Sequence, residues 1–299
     1  MAADRGSARA ADIVAVPVRH YGRWIGAAAT IVVAALVVYA FSNAIIDYGT
    51  TGEFFTTSSI LSGMVNTVII SVLAQALGIG LGILAAVMRL SKNPVTSSIA
   101  GFYIWFMRGT PVLVQLLIWY NLAFIFPTIS IPGIGTWATN DVMTPFLAAL
   151  LGLGINEGAY MAEIVRAGIG SVDEGQTEAA HALGMTSTKT LRRIVLPQAM
   201  RVIVPPTGNE FINMLKTSSL AYAIQYEELL QSAVKIYSNN LMVIELLFTI
   251  SLWYLILTSV FSIFQYQLER RFSRGSKSGQ PVNQLAQLVK NLRPGREKP

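Results

Sequence analysis

Apolar residues in this chain are gathered into long runs, and charges are largely confined to the gaps between them. No charged residue lies between Trp24 and Ile46, none between Phe54 and Met88, and none between Gly109 and Asn140. A bilayer's hydrocarbon core is about 30 Å thick, so a spanning helix needs about 20 mostly apolar residues. The pattern predicts spans over Trp24–Ile46, from about Val65 to Met88, with an apolar body over Val112–Phe126, from Pro145 to about Val165, and from about Leu246 to Tyr266. A weaker segment between Val202 and Tyr226 holds Pro205, Pro206, Glu210, Asn213 and Lys216. Charges facing lipid are costly and normally turn toward a bundle interior or water. This segment is still predicted to cross, because the spans on either side must be joined with one consistent orientation. No heptad array or fixed-period repeat accompanies the runs.

The positive charges agree with six crossings. Arg5, Arg9, Arg19 and Arg23 precede the first run, and Arg89 and Lys92 follow the second. Lys189, Arg192 and Arg193 lie between the fourth and fifth, and Arg270, Arg271, Arg274 and Lys277 follow the sixth. Six alternating helices place all four groups on one side, which the positive-inside rule makes the cytoplasm, with both termini there. The opposite loops carry Asp47, Glu53, Asp141, Glu227 and Glu228, with Lys235 as their clear cation. Ser42-Asn43-Ala44 has the form of a signal-peptide cleavage site, but the apolar core before it exceeds the roughly 7–15 residues of such segments. The first helix is therefore expected to be retained. The polar, basic stretch after Leu268 reads as a solvated tail beside anionic lipid.

Composition narrows the chemistry. Of 299 residues, 53% are hydrophobic and 13% charged, with a formal charge of +6, and the mean hydropathy is +0.52. Disordered chains have the opposite balance. Cysteine is absent, so disulfides, thiolate metal sites and cysteine nucleophiles are excluded. With His20 and His181 as the whole histidine complement, a His-rich metal site has little to draw on, and neither a metal nor a catalytic group is expected. The closest fragment to a phosphate-binding loop, Gly275-Ser276-Lys277-Ser278, lacks the upstream glycine and spacing of G-x-x-x-x-G-K-[ST]. The chain is not expected to hydrolyse ATP by that mechanism.

Between the fourth and fifth runs stands Glu178-Ala179-Ala180-His181-Ala182-Leu183-Gly184, then nine residues, then Ile194-Val195-Leu196-Pro197. Residues Glu178 to Leu183 favour a helix that Gly184 can end in a left-handed conformation. Thr186 or Ser187 can cap a second short helix carrying Lys189, Arg192 and Arg193. Ala179 and Leu183 are four apart and share a face. The spacing E-A-A-x3-G-x9-I-x-L-P resembles the cytoplasmic signature of the permease subunits of bacterial ABC importers. The resemblance implies that Glu178, Ala179, Ala180, Leu183, Gly184, Ile194, Leu196 and Pro197 form a coupling helix-turn-helix that docks in a groove of a cytoplasmic ATPase. It further implies an ATPase dimer that holds ATP and Mg, a second permease subunit (identical or not), an extracytoplasmic binding protein, and a place in the bacterial inner membrane. It implies no nucleic acid and no cofactor held by this chain.

Three further stretches resemble the branch that imports polar amino acids (histidine, glutamate, glutamine, arginine, opines). The first runs from Phe106-Met107-Arg108-Gly109-Thr110-Pro111 to Gln115-Leu116. Here Thr110 can cap a helix with Pro111 at its first position, and Phe102, Tyr103 and Trp105 suit an interfacial helix with Arg108 near the headgroups. The second is Ala159-Tyr160-Met161-Ala162-Glu163-Ile164-Val165-Arg166, in which Glu163 and Arg166 can pair at helical spacing. Glu157, just before it, is compatible with a vestibule or with the membrane interface. The third leads from Leu196-Pro197-Gln198 through Pro205-Pro206-Thr207-Gly208-Asn209-Glu210 to Lys216-Thr217-Ser218-Ser219-Leu220.

In that third stretch, Pro205 and Pro206 remove two backbone donors and are expected to break the helix. Thr207-Gly208-Asn209-Glu210 fits the capping box of a second half-helix, whose free N–H groups would suit a carboxylate. Glu210, Asn213 and Thr217 fall on one helical stripe within about 60°, an arrangement of the kind that transporters use for midplane sites. Resemblance to the family favours Glu210 as a ligand for the substrate's ammonium group. It is equally compatible with capping its own helix, or with pairing to Lys216 or Arg201.

The expectation is an all-α, six-span membrane protein: a segment 1–23, an added N-terminal helix 24–46, a permease domain 63–271 with coupling loop 173–197, and a tail 272–299. It is a non-enzymatic permease subunit of an amino acid importer. The alternatives are an ion-coupled transporter or channel using Glu210 and Lys216, a membrane scaffold, or an importer of another small solute.

Overall fold

The computed structural model describes residues 21–44, 46–133 and 135–272. The expected N-terminal segment up to position 20 and the tail from 273 lie outside these. Residues up to Asp47 form one unit and those from Tyr48 another. The first unit contains α1 (Tyr21–Ser42). At 1.5 Å rise per residue this helix is about 33 Å long, enough to cross a bilayer core.

In chain order the second unit holds α2 (Tyr48–Phe55), α3 (Ser58–Arg89), α4 (Pro94–Gly109), α5 (Val112–Tyr120), a hairpin of β1 (Thr128–Ile131) and β2 (Gly135–Ala138), the single turn α6 (Thr139–Val142), and α7 (Pro145–Gly170). Then come α8 (Glu174–Ala182), α9 (Ser187–Thr190), α10 (Leu196–Thr217), α11 (Leu229–Asn240) and α12 (Val243–Phe272). The class is all-α, as expected, with the antiparallel hairpin as a small addition. Its register pairs Thr128 with Ala138 and Ile131 with Gly135.

α3 and α7 form the most extensive interface in the bundle. They run parallel: Gly78 sits on Glu157, and Gly82 one turn further on sits on Met161. α4 runs antiparallel to α3, since Ser97 near its start bonds Arg89 while Tyr103 lies by Leu81. α10 is antiparallel to α7, with Ile203 on Gly168 and Met214 near Leu153. α12 is antiparallel to α10, with Gln265 on Pro205 and Phe261 edge-on to Phe211 at 5.0 Å. The helices thus alternate in direction. Arg89, Lys92, Lys189, Arg192, Arg193, Arg270 and Arg271 gather at one end of the bundle, and the hairpin and α11 stand at the other.

Among the described residues, three helices are long and apolar enough to cross a membrane alone: Trp24–Ser42, Ser58–Arg89 and Val243–Phe272. The third expected span differs from its sequence reading. Its apolar body is α5, but α5 joins the preceding α4 at an angle of 101°, and together they make one broken unit. α4 packs one face on the bundle and leaves Phe102 and Trp105 exposed on the other. Ala100 and Ile104 are buried against the bundle, and Tyr103 Oη donates to the Ile155 carbonyl at 2.6 Å. α7 and α10, at 26 and 22 residues, are long enough to cross but fall short in hydropathy because they face protein.

The α3–α7 contact depends on missing side chains. A Cβ on Gly82 would lie 2.4 Å from Met161 Cβ and 2.9 Å from its backbone carbon. A Cβ on Gly80, midway between Gly78 and Gly82 in sequence but turned away from the seam, meets nothing within 4 Å. Small residues allow this approach, and in lipid such packing is a principal source of helix association. Gly82→Val is therefore expected to lower stability by about 1–3 kcal/mol, while Gly80→Ala leaves the thermal unfolding midpoint in detergent unchanged or raised.

Candidate functional site

The site is built on α10, and here the structure corrects the sequence reading. α10 runs from Leu196 to Thr217 with Pro205 and Pro206 inside it. There is no break, no half-helix start and no capping box: Thr207 Oγ1 instead donates back to the Ile203 carbonyl at 2.8 Å. Pro205 and Pro206 withhold N–H groups from the Arg201 and Val202 carbonyls, yet the helix continues, with a neighbour packed against this turn. Gln265 of α12 donates to the Pro205 carbonyl at 2.8 Å and also bonds Glu269 Oε1 at 2.9 Å, while Gly208 lets the Gln265 side chain lie against α10. The expected free N–H groups for a substrate carboxylate are consequently absent at this point of the chain.

Toward its start, α10 continues without a break from α9 through a wider turn, Leu191–Val195. Pro197 has no N–H to give the Arg193 carbonyl, and the helix adapts by forming a Leu196 N–H to Leu191 carbonyl bond, one residue longer than the α-helical spacing. Gln198 Nε2 donates to the Ile194 carbonyl at 3.0 Å. The result is a single helical rod from Ser187 to Thr217.

Between α7 and α10, with α5 at its edge, lies an open cavity of about 510 Å³, within the roughly 300–1,000 Å³ of small-molecule sites. Glu210, Asn213 and Thr217 all line it, as the stripe predicted, together with Lys216 on α10 and Asn156, Glu157 and Tyr160 on α7. Glu210 is half-buried. Among the described residues it forms no ion pair with Lys216 or Arg201 and caps no helix. The sequence reading left Glu157 open between vestibule and interface; the structure buries it in the cavity wall, at 5% exposure. Asn156 and Tyr160 are not among the residues the sequence singles out for a site, and Lys216 enters it only in the ion-coupled alternative. The available signal was polar groups one turn apart on a helix otherwise made of glycine, alanine and leucine.

The break between α4 and α5 forms part of the same architecture. Irregular backbone inside a membrane bundle must have its polar groups satisfied by protein. Gln115 Nε2 lies 3.1 Å from the Met107 carbonyl, 3.2 Å from the Thr110 carbonyl and 2.7 Å from Thr110 Oγ1. Asn156 Nδ2 donates to Met107 O at 2.8 Å and to Gln115 Oε1 at 3.2 Å. Thr110 ends α4 and Pro111 precedes α5, each one place earlier than the sequence reading set them. The Arg108 guanidinium lies 5.1 Å over the ring of Tyr160. The expected Glu163–Arg166 pair is present at 2.7 Å.

At the loop, α8 is capped by Asp173, whose carboxylate accepts from Gly175 N at 2.8 Å. It ends as the glycine predicted. Gly184 has φ +76, its N–H bonds the His181 carbonyl at 2.9 Å, and Met185 N–H bonds the Ala180 carbonyl at 3.0 Å, a complete Schellman closure. Thr186 occupies the cap position of α9 but makes no side-chain capping bond. Glu178, Ala179 and Gly184 are exposed, and Leu183 is 84% exposed, an open apolar face. Leu196 and Pro197 are exposed, Ile194 half-buried, and Ala180 buried, so Ala180 supports the turn from within.

A helical membrane bundle with a polar cavity, joined through one rod to an exposed loop, is a membrane transport protein. Comparison with known proteins narrows this. Residues 78–274 match the family described as binding-protein-dependent transport system inner membrane component. The arginine transport system permease protein ArgU of Corynebacterium glutamicum is 41% identical over 285 residues, covering 95% of this chain and 90% of that one. The glutamine permease GlnP of Escherichia coli is 36% identical over 213 residues, covering 71% and 92%. Among solved structures, a chain of an amino acid ABC transporter crystallised with histidines aligns with TM-score 0.66 at 36% identity, over 76% of this chain and all (100%) of that one. The chain belongs to the binding-protein-dependent transport system inner membrane component family. It is the permease subunit of an ABC importer, a non-catalytic component whose ATP hydrolysis falls to a separate subunit.

The Gln115 cluster carries an expectation of its own. Gln115→Leu leaves the Thr110 carbonyl and the Asn156 amide short of partners, which costs about 1–3 kcal/mol. The purified protein should melt at lower temperature, and uptake should fall with it.

Proposed function

We propose that this permease imports polar amino acids across the bacterial inner membrane, and that the cavity between α7 and α10 holds the substrate during passage. The observation that carries the reading is the mechanical continuity between the Glu178–Pro197 loop and the cavity-lining stripe of Glu210, Asn213 and Thr217. The named relatives, which handle arginine and glutamine, support the substrate class.

In this reading six helices cross, both termini are cytoplasmic, and the basic end of the bundle faces the cytoplasm. Two such permeases, identical or sibling, pair with an ATPase dimer that holds ATP and Mg, and a loaded binding protein docks outside. Closure of the ATPases pulls on Ala179 and Leu183, and the rod from Ser187 to Thr217 tilts. Because no break intervenes at Pro205, the displacement reaches Glu210 and opens the cavity alternately outward and inward. Glu210 holds the substrate's ammonium through a charge-assisted bond. With no helix start available, Lys216 holds the carboxylate.

Two measurements test this. Glu210→Gln, at equal expression, should raise the uptake KM about tenfold or more while basal ATP turnover of the complex persists; unchanged uptake removes Glu210 from the site. Leu183→Asp should abolish copurification of the ATPase without moving the permease's melting temperature, since the side chain is exposed and buries nothing within this chain.

A further inference from the structure

We propose that Glu228 is a proton-operated latch at the extracytoplasmic end of the bundle: with its carboxyl protonated it holds the cavity's outer seal shut, and with the carboxyl ionised it lets the seal open. The inference rests on the reading of the cavity as a path that opens alternately outward and inward, and adds a regulator to it.

The seal is apolar. Leu153 and Met214 line the cavity, and toward the hairpin end they join one buried cluster with Leu116, Ala221, Ile224 and Tyr226. Outward opening has to part this cluster. The segment that supplies Ala221, Ile224 and Tyr226 prolongs α10 outward and reaches Glu228 two residues later, at the start of α11.

Glu228 ties that segment to its neighbours. The residue is 0% exposed. Its Oε1 accepts from the Gln231 N–H at 2.8 Å, and its Oε2 from the Leu230 N–H at 2.9 Å and from Tyr254 Oη of α12 at 2.6 Å. The next N–H, of Leu229, donates to Thr67 Oγ1 of α3 at 3.1 Å. One buried carboxyl thus holds α11 against α12, beside its contact with α3. Among the described residues no ion pair offsets its charge. Glu227 and Lys235 pair with each other at the surface. Tyr254 and Tyr226 are the titratable groups that face Glu228, and α3 presents the neutral Asn66 and Thr67. Burial pushes the Glu228 carboxyl up to about 7, against the lowering pull of its hydrogen bonds to Tyr254, Leu230 and Gln231.

When the latch releases, the carboxyl meets water and returns to the ordinary carboxylate range. The latched state therefore holds its proton more tightly than the released one. Acid favours the latched state, and its advantage is lost as pH rises from the carboxylate range through about 7.

The test is hydrogen exchange of the Leu230 and Gln231 amides in the purified permease–ATPase complex, corrected for the intrinsic rate at each pH. It is paired with uptake by proteoliposomes at saturating binding protein, with the internal pH held constant. In wild type, protection should fall about tenfold between about pH 6 and about pH 8, and uptake should rise over the same external range. Glu228→Gln cannot ionise, so its protection should be the same at both ends of that range and its uptake should not rise. Tyr254→Phe removes a bond that favours the charged form and should move the fall in protection to higher pH, which serves as the test if Glu228→Gln does not fold. Wild-type protection that ignores pH, a pH dependence kept in Glu228→Gln, a transition unmoved in Tyr254→Phe, or uptake that does not follow protection overturns the latch. The cavity reading fails separately: wild type without uptake at any pH, or Glu210→Gln with unchanged uptake, overturns that reading, while exchange at α11 still reports on the proton.

Discussion

Lipid tails are as apolar as leucine, so burying side chains between helices in a bilayer releases little hydrophobic free energy, and close contact has to hold the bundle together. In this protein that contact is the α3–α7 seam, where Gly78, Gly82, Gly154 and Gly158 bring two parallel helices within backbone reach. The rest of the site is placed by it. Glu157 stands in the cavity wall because Gly78 makes room for its stem. Tyr103 fastens α4 at Ile155 because Gly158 leaves space for its hydroxyl. With α4 fixed, Asn156 reaches the broken turn at Met107 and holds α5 at its angle.

The second constraint concerns backbone donors. Pro197, Pro205 and Pro206 each remove one from a single helical rod, and a soluble helix would kink. The chain answers differently at the two places. Near the loop, a one-residue-longer hydrogen bond and the Gln198 amide absorb the defect. Midway along α10, the helix runs on although the Arg201 and Val202 carbonyls lose their helical donors, and the Gln265 amide of a second helix bonds the Pro205 carbonyl. Helical continuity is kept from Ser187 near the loop to Thr217 at the cavity.

Much of this was legible in the residues. The apolar runs gave the helices, the charge pattern gave the end of the bundle where the loops gather, and the Glu178–Pro197 spacing marked the loop, down to the left-handed Gly184. The stripe of Glu210, Asn213 and Thr217 survived as well, although the half-helix that motivated it did not. Proline's local preference points to a break, whereas the helix is continuous and packed at this turn by a residue sixty positions away; no short-range rule carries that information. The α4–α5 bend was hidden for a similar reason, since it depends on Gln115 meeting Asn156 across another helix. The hairpin strands are four residues each, too short for alternation to stand out beside the apolar stretch before them, although Pro132-Gly133 marks the turn.

The distribution of polar groups among the helices follows from the same economy. α3 and α12, which turn broad faces outward, keep their charges at their ends, Arg89 on α3 and Glu245, Glu269, Arg270 and Arg271 on α12, and are apolar enough in between to meet the hydropathy criterion for a span. α7 and α10 fail it because they carry Glu157, Glu163, Arg166, Glu210 and Lys216, and they can do so only where neighbours shield them from lipid. Half of α7 is buried, including both Asn156 and Glu157. A segment that looks like a poor membrane helix is therefore one that faces protein: its low hydropathy reflects which side of it faces lipid, and of the residues that lower it Asn156, Glu157, Glu210, Asn213 and Lys216 line the cavity, while Glu163 and Arg166 pair with each other.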